Sequence, residues 1–114
     1  SMKASLDVLK DGAGRRVAIL GDMGELGENE VQLHAEVGEH AAQCGIDVCI
    51  CTGALSANIA KEARKNPQLT VIEEPDRDSL LAHLDSYVKT GDTILVKASH
   101  FMQFEKVVTK LQEM

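Results

Sequence analysis

Residues 17–24 read VAILGDMG, an apolar and β-branched run that stops abruptly at an acid. A second run of this kind, TILVKASH, spans residues 93–100. In a parallel sheet such runs form strands that are buried on both faces. The polar groups that end them then lie at the carboxyl ends of the strands, where open α/β sheets bind ligands. The two runs therefore predict a strand-end site, and its candidate ligand contacts are Asp22, Lys97, Ser99 and His100.

Shorter apolar runs at residues 48–52 and 70–72 indicate two more strands. Helical patterns lead, separate and follow these runs, over residues 2–10, 29–43, 55–65, 76 or 78 to 89, and 102–112. Strands that alternate with helices predict an α/β protein, here a Rossmann-like three-layer α/β/α fold with a mostly parallel sheet. We expect all four strands to be parallel neighbours in one sheet, joined by right-handed crossovers.

Size and composition exclude several classes of protein. The chain has 114 residues, which fits one domain, and a net charge of −6, which argues against a protein that binds the nucleic-acid backbone. Aromatic residues make up 3% of the chain and there is no Trp, so platforms for base stacking are scarce. No stretch has the length and apolarity of a membrane span, and we expect no membrane insertion.

The cysteines and histidines do not have the spacing of a metal site. Cys49 and Cys51 share one strand face, but no second cluster completes four ligands. With Cys44 they are expected to be buried free thiols, which suits a reducing cytoplasm. His34 and His40 are six residues apart rather than four, so they are expected to form a solvated helix surface with one partly buried ring.

The loop after the first strand is a poor phosphate cradle. Gly21, Gly24 and Gly27 have the spacing GxxGxxG rather than GxGxxG, and the loop is acidic. No P-loop motif occurs in the sequence. Asp22 can orient a ligand or cap the loop, and Lys97 can bind an anion or extend its ammonium to solvent.

The two residues that follow Lys97 also have two interpretations each. Ser99 can donate its hydroxyl to a ligand or cap the last helix. His100 can contact an anion or lie exposed in the loop. Both follow the same strand directly, which favours a shared ligand site.

Five stretches in this order resemble the C-terminal domain of the Mur ligases: residues 1–6, 16–27, 33–38 with the pattern LHxExG, 91–99 with GDTILVKxS, and Met102 with residues 105–108. Within that family they are most similar to the ligases that add D-alanyl-D-alanine to UDP-N-acetylmuramoyl-tripeptide. The resemblance implies that residues 1–114 form one isolated Mur ligase C-terminal domain. It also implies that a UDP-sugar domain and a central ATPase domain lie outside this chain.

The resemblance implies a part in peptidoglycan synthesis, and so in cell-wall formation, cell shape and cell division. The parent enzyme would use ATP and Mg²⁺ to activate the UDP-N-acetylmuramoyl-tripeptide, and the amine of D-alanyl-D-alanine would attack it. Asp22, Lys97 and Ser99 match ligand-facing positions of the family, whereas His100 replaces an arginine that follows Gly-Ser. The chain alone would be an inactive monomer without catalytic residues. An alternative is a stand-alone Rossmann-like ligand-binding or regulatory module.

Overall fold

The computed structural model describes residues 2–24 and 27–114. Ser1, Glu25 and Leu26 lie outside the described residues; Ser1 belongs to the stretch 1–6 and the other two to the stretch 16–27 that carry the resemblance. The strands are β1 Arg16–Gly21, β2 Val48–Thr52, β3 Thr70–Glu74 and β4 Thr93–Lys97. The α-helices are α1 Met2–Leu9, α2 Glu30–Cys44, α3 Ala57–Ala63, α4 Arg77–Tyr87 and α5 Glu105–Glu113. Short 3₁₀ turns span Gly27–Asn29 and His100–Met102.

The four strands form one parallel sheet in the order β3-β2-β1-β4, which confirms the predicted fold class. In its centre Ile19 of β1 pairs with Ile50 of β2 on one side and with Val96 of β4 on the other. The chain builds outward from β1 to β3 and then returns to place β4 on the opposite side of β1. The direction of winding therefore changes between β1 and β4, and ligand crevices form at the carboxyl ends of the strands at such a point.

Each face of the sheet carries its own apolar core, which explains why the strands are continuously apolar. Along β1, Ala18 and Leu20 face the layer of α1, α2 and α3, whereas Val17 and Ile19 face α4 and α5. The first core also contains Leu6, Val37, Cys49 and Ile59, and the second contains Ile50, Leu80, Leu84 and Val107. These two layers of helices give the predicted three-layer architecture.

The helix boundaries differ from the predicted ones at the last helix. The apolar pattern predicted a single helix from residue 102, but the chain first makes the 3₁₀ turn His100–Met102. Gln103 then adopts a left-handed backbone with φ +53°, and α5 begins only at Glu105. A left-handed residue ends helical hydrogen bonding, so periodicity alone could not locate this break. The apolar pattern of the last helix also predicts that Val108 faces inward, but Val108 is 38% exposed.

The sequence predicts three features of α2: an N-cap at Asn29, a C-terminal end at Gly45, and a buried stripe of Val31, His34, Ala35, Gly38 and Ala41 or Ala42. Gly45 ends the helix with φ +88°, as expected for a C-terminal glycine. Asn29 stands at the predicted N-cap position, but its side chain makes no capping hydrogen bond. The buried stripe contains His34, Val37, Gly38 and Ala41, whereas Val31 in the first turn is 53% exposed, contrary to expectation.

The thiol prediction is confirmed for the two strand cysteines. Cys49 and Cys51 are buried free thiols whose sulfurs lie 3.7 Å apart, and Cys44 is a half-buried free thiol. The neighbouring Cys49 thiol and burial raise the pKa of Cys51 well above its usual value. In the described part of the chain, no helix combines the length and apolarity needed to cross a membrane.

Candidate functional site

The carboxyl ends of all four strands meet at one edge of the sheet, and the polar residues predicted from the sequence follow them there. Asp22 comes directly after β1, Gly53 after β2 and Ser99 shortly after β4. Parallel strands place these ends side by side, so residues far apart in the chain become neighbours.

Asp22 fastens the loop that follows β2. Its side chain is 8% exposed, and Oδ1 accepts hydrogen bonds from the Ser56 backbone N at 2.7 Å and from Ser56 Oγ at 2.8 Å. Gly53 makes room for the carboxylate, because a Cβ at that position would lie 2.6 Å from both Asp22 oxygens. The geometry is that of a loop-anchoring acid at the start of α3, one of the two interpretations of Asp22.

Ser99 ties the segment after β4 to the loop after β1. Its backbone N donates to the Asp22 carbonyl at 3.0 Å, and its Oγ accepts a short hydrogen bond from the Gly24 N–H. A hydroxyl that accepts from a backbone N–H keeps its own proton for another acceptor. Ser99 is therefore able to donate to a ligand while it holds the loop.

A crevice of about 550 Å³ opens between the ends of β1 and β4, where the winding direction changes. We call it the switch-point crevice, and it is lined by Gly24, Ala98, Ser99, His100 and Phe101. The hydroxyl and the imidazole provide polar groups, while Ala98 and Phe101 provide apolar walls. Phe101 is 64% exposed, which is a large apolar surface for a chain with two Phe residues.

Asp22 belongs to a second, smaller crevice of about 360 Å³ on the other side of Phe101. That space lies over the ends of β1 and β2 and beside the start of α4, where Asp76 caps the helix by accepting from Ser79 N at 2.8 Å. The sequence left residues 76 and 78 open as caps, and the structure selects Asp76.

Lys97 lies apart from both crevices. It shares the sheet face of its partner Leu20, and its Nζ donates to Ser5 Oγ of α1 at 3.1 Å. Ser99 and His100, in contrast, line the switch-point crevice. The structure thus brings Ser99 and His100 together, places Asp22 next to them, and turns Lys97 toward α1.

His34 is the buried ring of the pair His34 and His40, for which the sequence predicts a helix surface with one partly buried His. It is fully buried on α2, and its Nε2 accepts the Met23 N–H at 3.0 Å. His34 lies on the buried stripe with Val37, Gly38 and Ala41, as the periodicity of α2 predicts, but periodicity gives no sign of its hydrogen bond to Met23. Met23 lies between Asp22 and Gly24, so this hydrogen bond holds the backbone of the strand-end loop against α2.

A family model described as "Mur ligase, glutamate ligase domain" matches residues 1–100 of this fold. The chain belongs to the Mur ligase family. As in the expectation drawn from its motifs, the matching part of the family is a C-terminal domain of a larger ligase.

Two curated relatives of this Mur ligase domain are both named UDP-N-acetylmuramoyl-tripeptide–D-alanyl-D-alanine ligase. The protein from Escherichia coli K12 is 35% identical over 115 residues, which cover 99% of this chain and 24% of that protein. The protein from Bacillus subtilis 168 is 34% identical over 116 residues, which cover 99% of this chain and 25% of that protein. The Mur ligase domain therefore spans about a quarter of the length of these relatives.

Solved Mur ligase structures share the fold. MurF from Acinetobacter baumannii superposes with a TM-score of 0.84 at 26% identity, over 100% of this chain and 26% of that chain. The MurF ligase from Thermotoga maritima, solved in complex with ADP, gives a TM-score of 0.75 at 25% identity, over 98% and 25% of the two chains. The parallel sheet and flanking helices of this Mur ligase domain agree with both.

At the outer end of the same edge, the Mur ligase domain buries a carboxylate that two α4 side chains share. Glu74 Oε2 accepts from His83 Nδ1 at 2.7 Å and from the Tyr87 hydroxyl at 2.5 Å. His83 and Tyr87 are four residues apart, a spacing that predicts packing on one helix face, and their ring centroids lie 6.3 Å apart. The hydrogen bond to Glu74, together with burial, raises the pKa of Tyr87 from 10.0 to about 12.

We therefore expect the one tyrosine of the chain to ionise at about pH 12 when folded and near pH 10 when unfolded. Because the folded-state pKa is raised, the stabilisation is fully present below pH 10 and is lost as the pH rises through about 12. Tyrosinate absorbance after rapid pH jumps measures the folded-state value directly. Glu74→Gln should move the midpoint back toward the unfolded value, and an unchanged midpoint in that variant would contradict the assignment.

Proposed function

We propose that this chain is the C-terminal domain of an ATP-dependent ligase that adds D-alanyl-D-alanine to UDP-N-acetylmuramoyl-tripeptide in peptidoglycan synthesis. The membership in the Mur ligase family and the names of the relatives support this proposal. The whole enzyme would act in the cytoplasm as a monomer. In it, residues 1–114 bind the incoming dipeptide and close over the reaction, and the isolated domain is inactive.

The observation that carries the proposal is the Ser99 hydroxyl at the switch-point crevice. Its oxygen accepts the Gly24 N–H, so its proton is available to a carboxylate or carbonyl oxygen in the crevice. His100 adds an imidazole at the same mouth, and Ala98 and Phe101 offer apolar surface. A short dipeptide with a terminal carboxylate and two methyl side chains offers a hydrogen-bond acceptor for the polar groups and apolar surface for the walls.

His100 gives this site a weaker anion contact than the arginine that the family pattern has at this position. Guanidinium forms a planar fork that binds both oxygens of a carboxylate, whereas an imidazole donates one hydrogen bond toward such a group. In this proposal Ser99 therefore supplies a larger share of carboxylate recognition than it would beside an arginine. The chain's own residues bind and orient the dipeptide, and none is proposed as catalytic.

The described residues do not fit a nucleotide triphosphate at this edge. The backbone N–H groups of Met23 and Gly24, which a phosphate cradle would need, already donate to His34 and Ser99. Across residues 2–24 and 27–114, no group of three or more His, Cys, Asp and Glu side chains could hold a metal ion. We therefore assign ATP, Mg²⁺ and the UDP-sugar substrate to parts of the enzyme outside this chain.

Ser99→Ala in the full-length ligase is expected to raise the KM for D-alanyl-D-alanine by about 10- to 100-fold. The variant loses a hydrogen bond to the dipeptide and leaves the Gly24 N–H unpaired, a loss of about 1.5–3 kcal/mol. Steady-state kinetics with the dipeptide varied provide the measurement. Ser86→Ala, at an exposed position on α4, is the matched control. An unchanged KM in the Ser99 variant would show that the dipeptide does not bind in this crevice.

For Lys97 we infer an indirect role, in which its bond to Ser5 holds α1 against the end of β4. Lys97→Met keeps the apolar stem and removes the ammonium. We expect a loss of about 1 kcal/mol in the free energy of unfolding and a change in the dipeptide KM of less than about twofold. Denaturant unfolding measures the change in stability, and steady-state kinetics measure the change in KM. A large rise in KM with unchanged stability would show that Lys97 contacts the ligand directly.

A further inference from the structure

The buried imidazole of His34 has a hydrogen-bond partner for each ring nitrogen. Nδ1 lies 2.6 Å from the carbonyl oxygen of Glu30, one turn earlier on α2. Nε2 lies 3.0 Å from the backbone N of Met23, in the loop after β1. The side chain is 0% exposed, so water cannot replace either partner. His34 therefore joins α2 to the strand-end loop through an enclosed pair of hydrogen bonds.

These partners fix the protonation state of the ring. A carbonyl oxygen can only accept, so Nδ1 must carry the proton that reaches Glu30. A backbone N–H can only donate, so Nε2 must be the unprotonated acceptor for Met23. The neutral Nδ1–H tautomer satisfies both partners. The Nε2–H tautomer and the imidazolium would each direct an N–H at the Met23 N–H inside the protein.

Three consecutive residues of the loop are held by three different parts of the fold. The Asp22 carboxylate is bound by Ser56 at the start of α3, and the Gly24 N–H is bound by Ser99 after β4. His34 holds the residue between them. The position of the Gly24 N–H fixes the oxygen of Ser99, and with it the direction in which the Ser99 proton can point.

We propose that His34 is a positioning residue of the switch-point crevice: its Nδ1–H tautomer fixes the Met23 backbone and thereby aligns the Gly24 N–H and the Ser99 hydroxyl. The consequence for dipeptide binding rests on the proposed function, whereas the alignment of the loop does not. His34 touches neither the crevice nor its ligand, and it acts through two backbone groups and one hydroxyl.

The first experiment reads the tautomer in this chain by two-bond ¹H–¹⁵N correlation spectra of ¹⁵N-histidine-labelled protein near neutral pH. His34 should show a protonated Nδ1 and an unprotonated Nε2. His40 is an internal reference, because its Nε2 faces the Asp7 carboxylate at 2.7 Å and must carry a proton. A protonated Nε2 on His34 would overturn the proposal without any variant having to fold.

The second experiment compares His34→Gln, whose Oε1 can accept from Met23, with His34→Leu, which has no acceptor. The backbone amide resonances of Gly24 and Ser99 should move in the leucine variant and stay near wild type in the glutamine variant. In the full-length ligase, the leucine variant should raise the dipeptide KM about tenfold with little change in kcat, and glutamine should restore it to within about twofold. His40→Gln is the control on the same helix and should change neither quantity.

The two readouts separate the failure of this inference from the failure of the proposed function. Unmoved Gly24 and Ser99 amides in a folded His34→Leu protein overturn the positioning role, whatever the kinetics show. Displaced amides with an unchanged KM support the positioning role and contradict dipeptide binding in the crevice. If the leucine variant does not fold, the wild-type tautomer and a glutamine variant that keeps both amides in place decide the positioning role.

Discussion

Gly38→Val is expected to lower the free energy of unfolding by more than about 3 kcal/mol, at the upper end of overpacking costs. Gly38 lies where α2 packs directly on α3, and a Cβ there would stand 2.2 Å from the Ile59 carbonyl oxygen and 2.9 Å from the Glu62 Cβ. The closest obstacle is backbone, which cannot rotate away as a side chain can. The two helices must separate, and both belong to the core over one face of the sheet.

Denaturant unfolding measures this effect, with Gln43→Val as the matched control. Gln43 is exposed on the same helix, so its substitution carries only the lower helix propensity of valine, roughly 0.5 kcal/mol. The loss of stability in Gly38→Ala should lie between those of Gly38→Val and Gln43→Val, although alanine is normally a better helix former than glycine. A Gly38→Ala protein that is more stable than wild type would show that α2 and α3 are not in close contact.

Asp22→Ala is expected to cost about 3 kcal/mol of stability. The substitution removes two hydrogen bonds to a charged acceptor and leaves the backbone N–H of Ser56 buried without a partner. The loop between β2 and α3 loses its attachment to β1, and the smaller crevice beside Phe101 changes shape. Thermal or denaturant unfolding provides the measurement.

Asp22→Asn is the informative comparison, because its Oδ1 can still accept both bonds from Ser56. We expect a loss of about 1 kcal/mol for the neutral acceptor, with the loop retained. The same variant in the full-length ligase should lower turnover more than it changes the dipeptide KM, if Asp22 serves domain closure. Equal stability of the alanine and asparagine variants would show that the hydrogen bonds to Ser56 do not anchor the loop.

The architecture was largely predictable because its signals are local and repeated. Strands buried on both faces need continuous apolar runs, and residues 17–21 and 93–96 supply them. The alternation of strands and helices then leaves few topologies, because crossovers between parallel strands are right-handed. The gathering of Asp22 and Ser99 at one edge followed from the same rule, since parallel strands end together.

Side-chain partners at that edge were less predictable. Lys97 and Ser99 are two residues apart, yet one bonds to α1 and the other to the loop after β1. Alternation would put residues two apart on the same face, but β4 ends at Lys97, so the chain can turn Ser99 in another direction. The alternation also does not identify the group that lies next to each side chain. The start of α5 was missed for a related reason, because Gln103 adopts a backbone conformation that its residue type rarely signals.

By itself the sequence determined the α/β class, the parallel sheet, the edge that carries the site and the family motifs, because these depend on periodicity and on residue types in order. Only the tertiary structure decided that His34 accepts the Met23 N–H and that Ser99 accepts the Gly24 N–H. The second bond joins residues 75 apart in the chain. A hydrogen bond needs atoms within about 3 Å in a defined direction, and that distance exists only once both layers of helices have closed on the sheet.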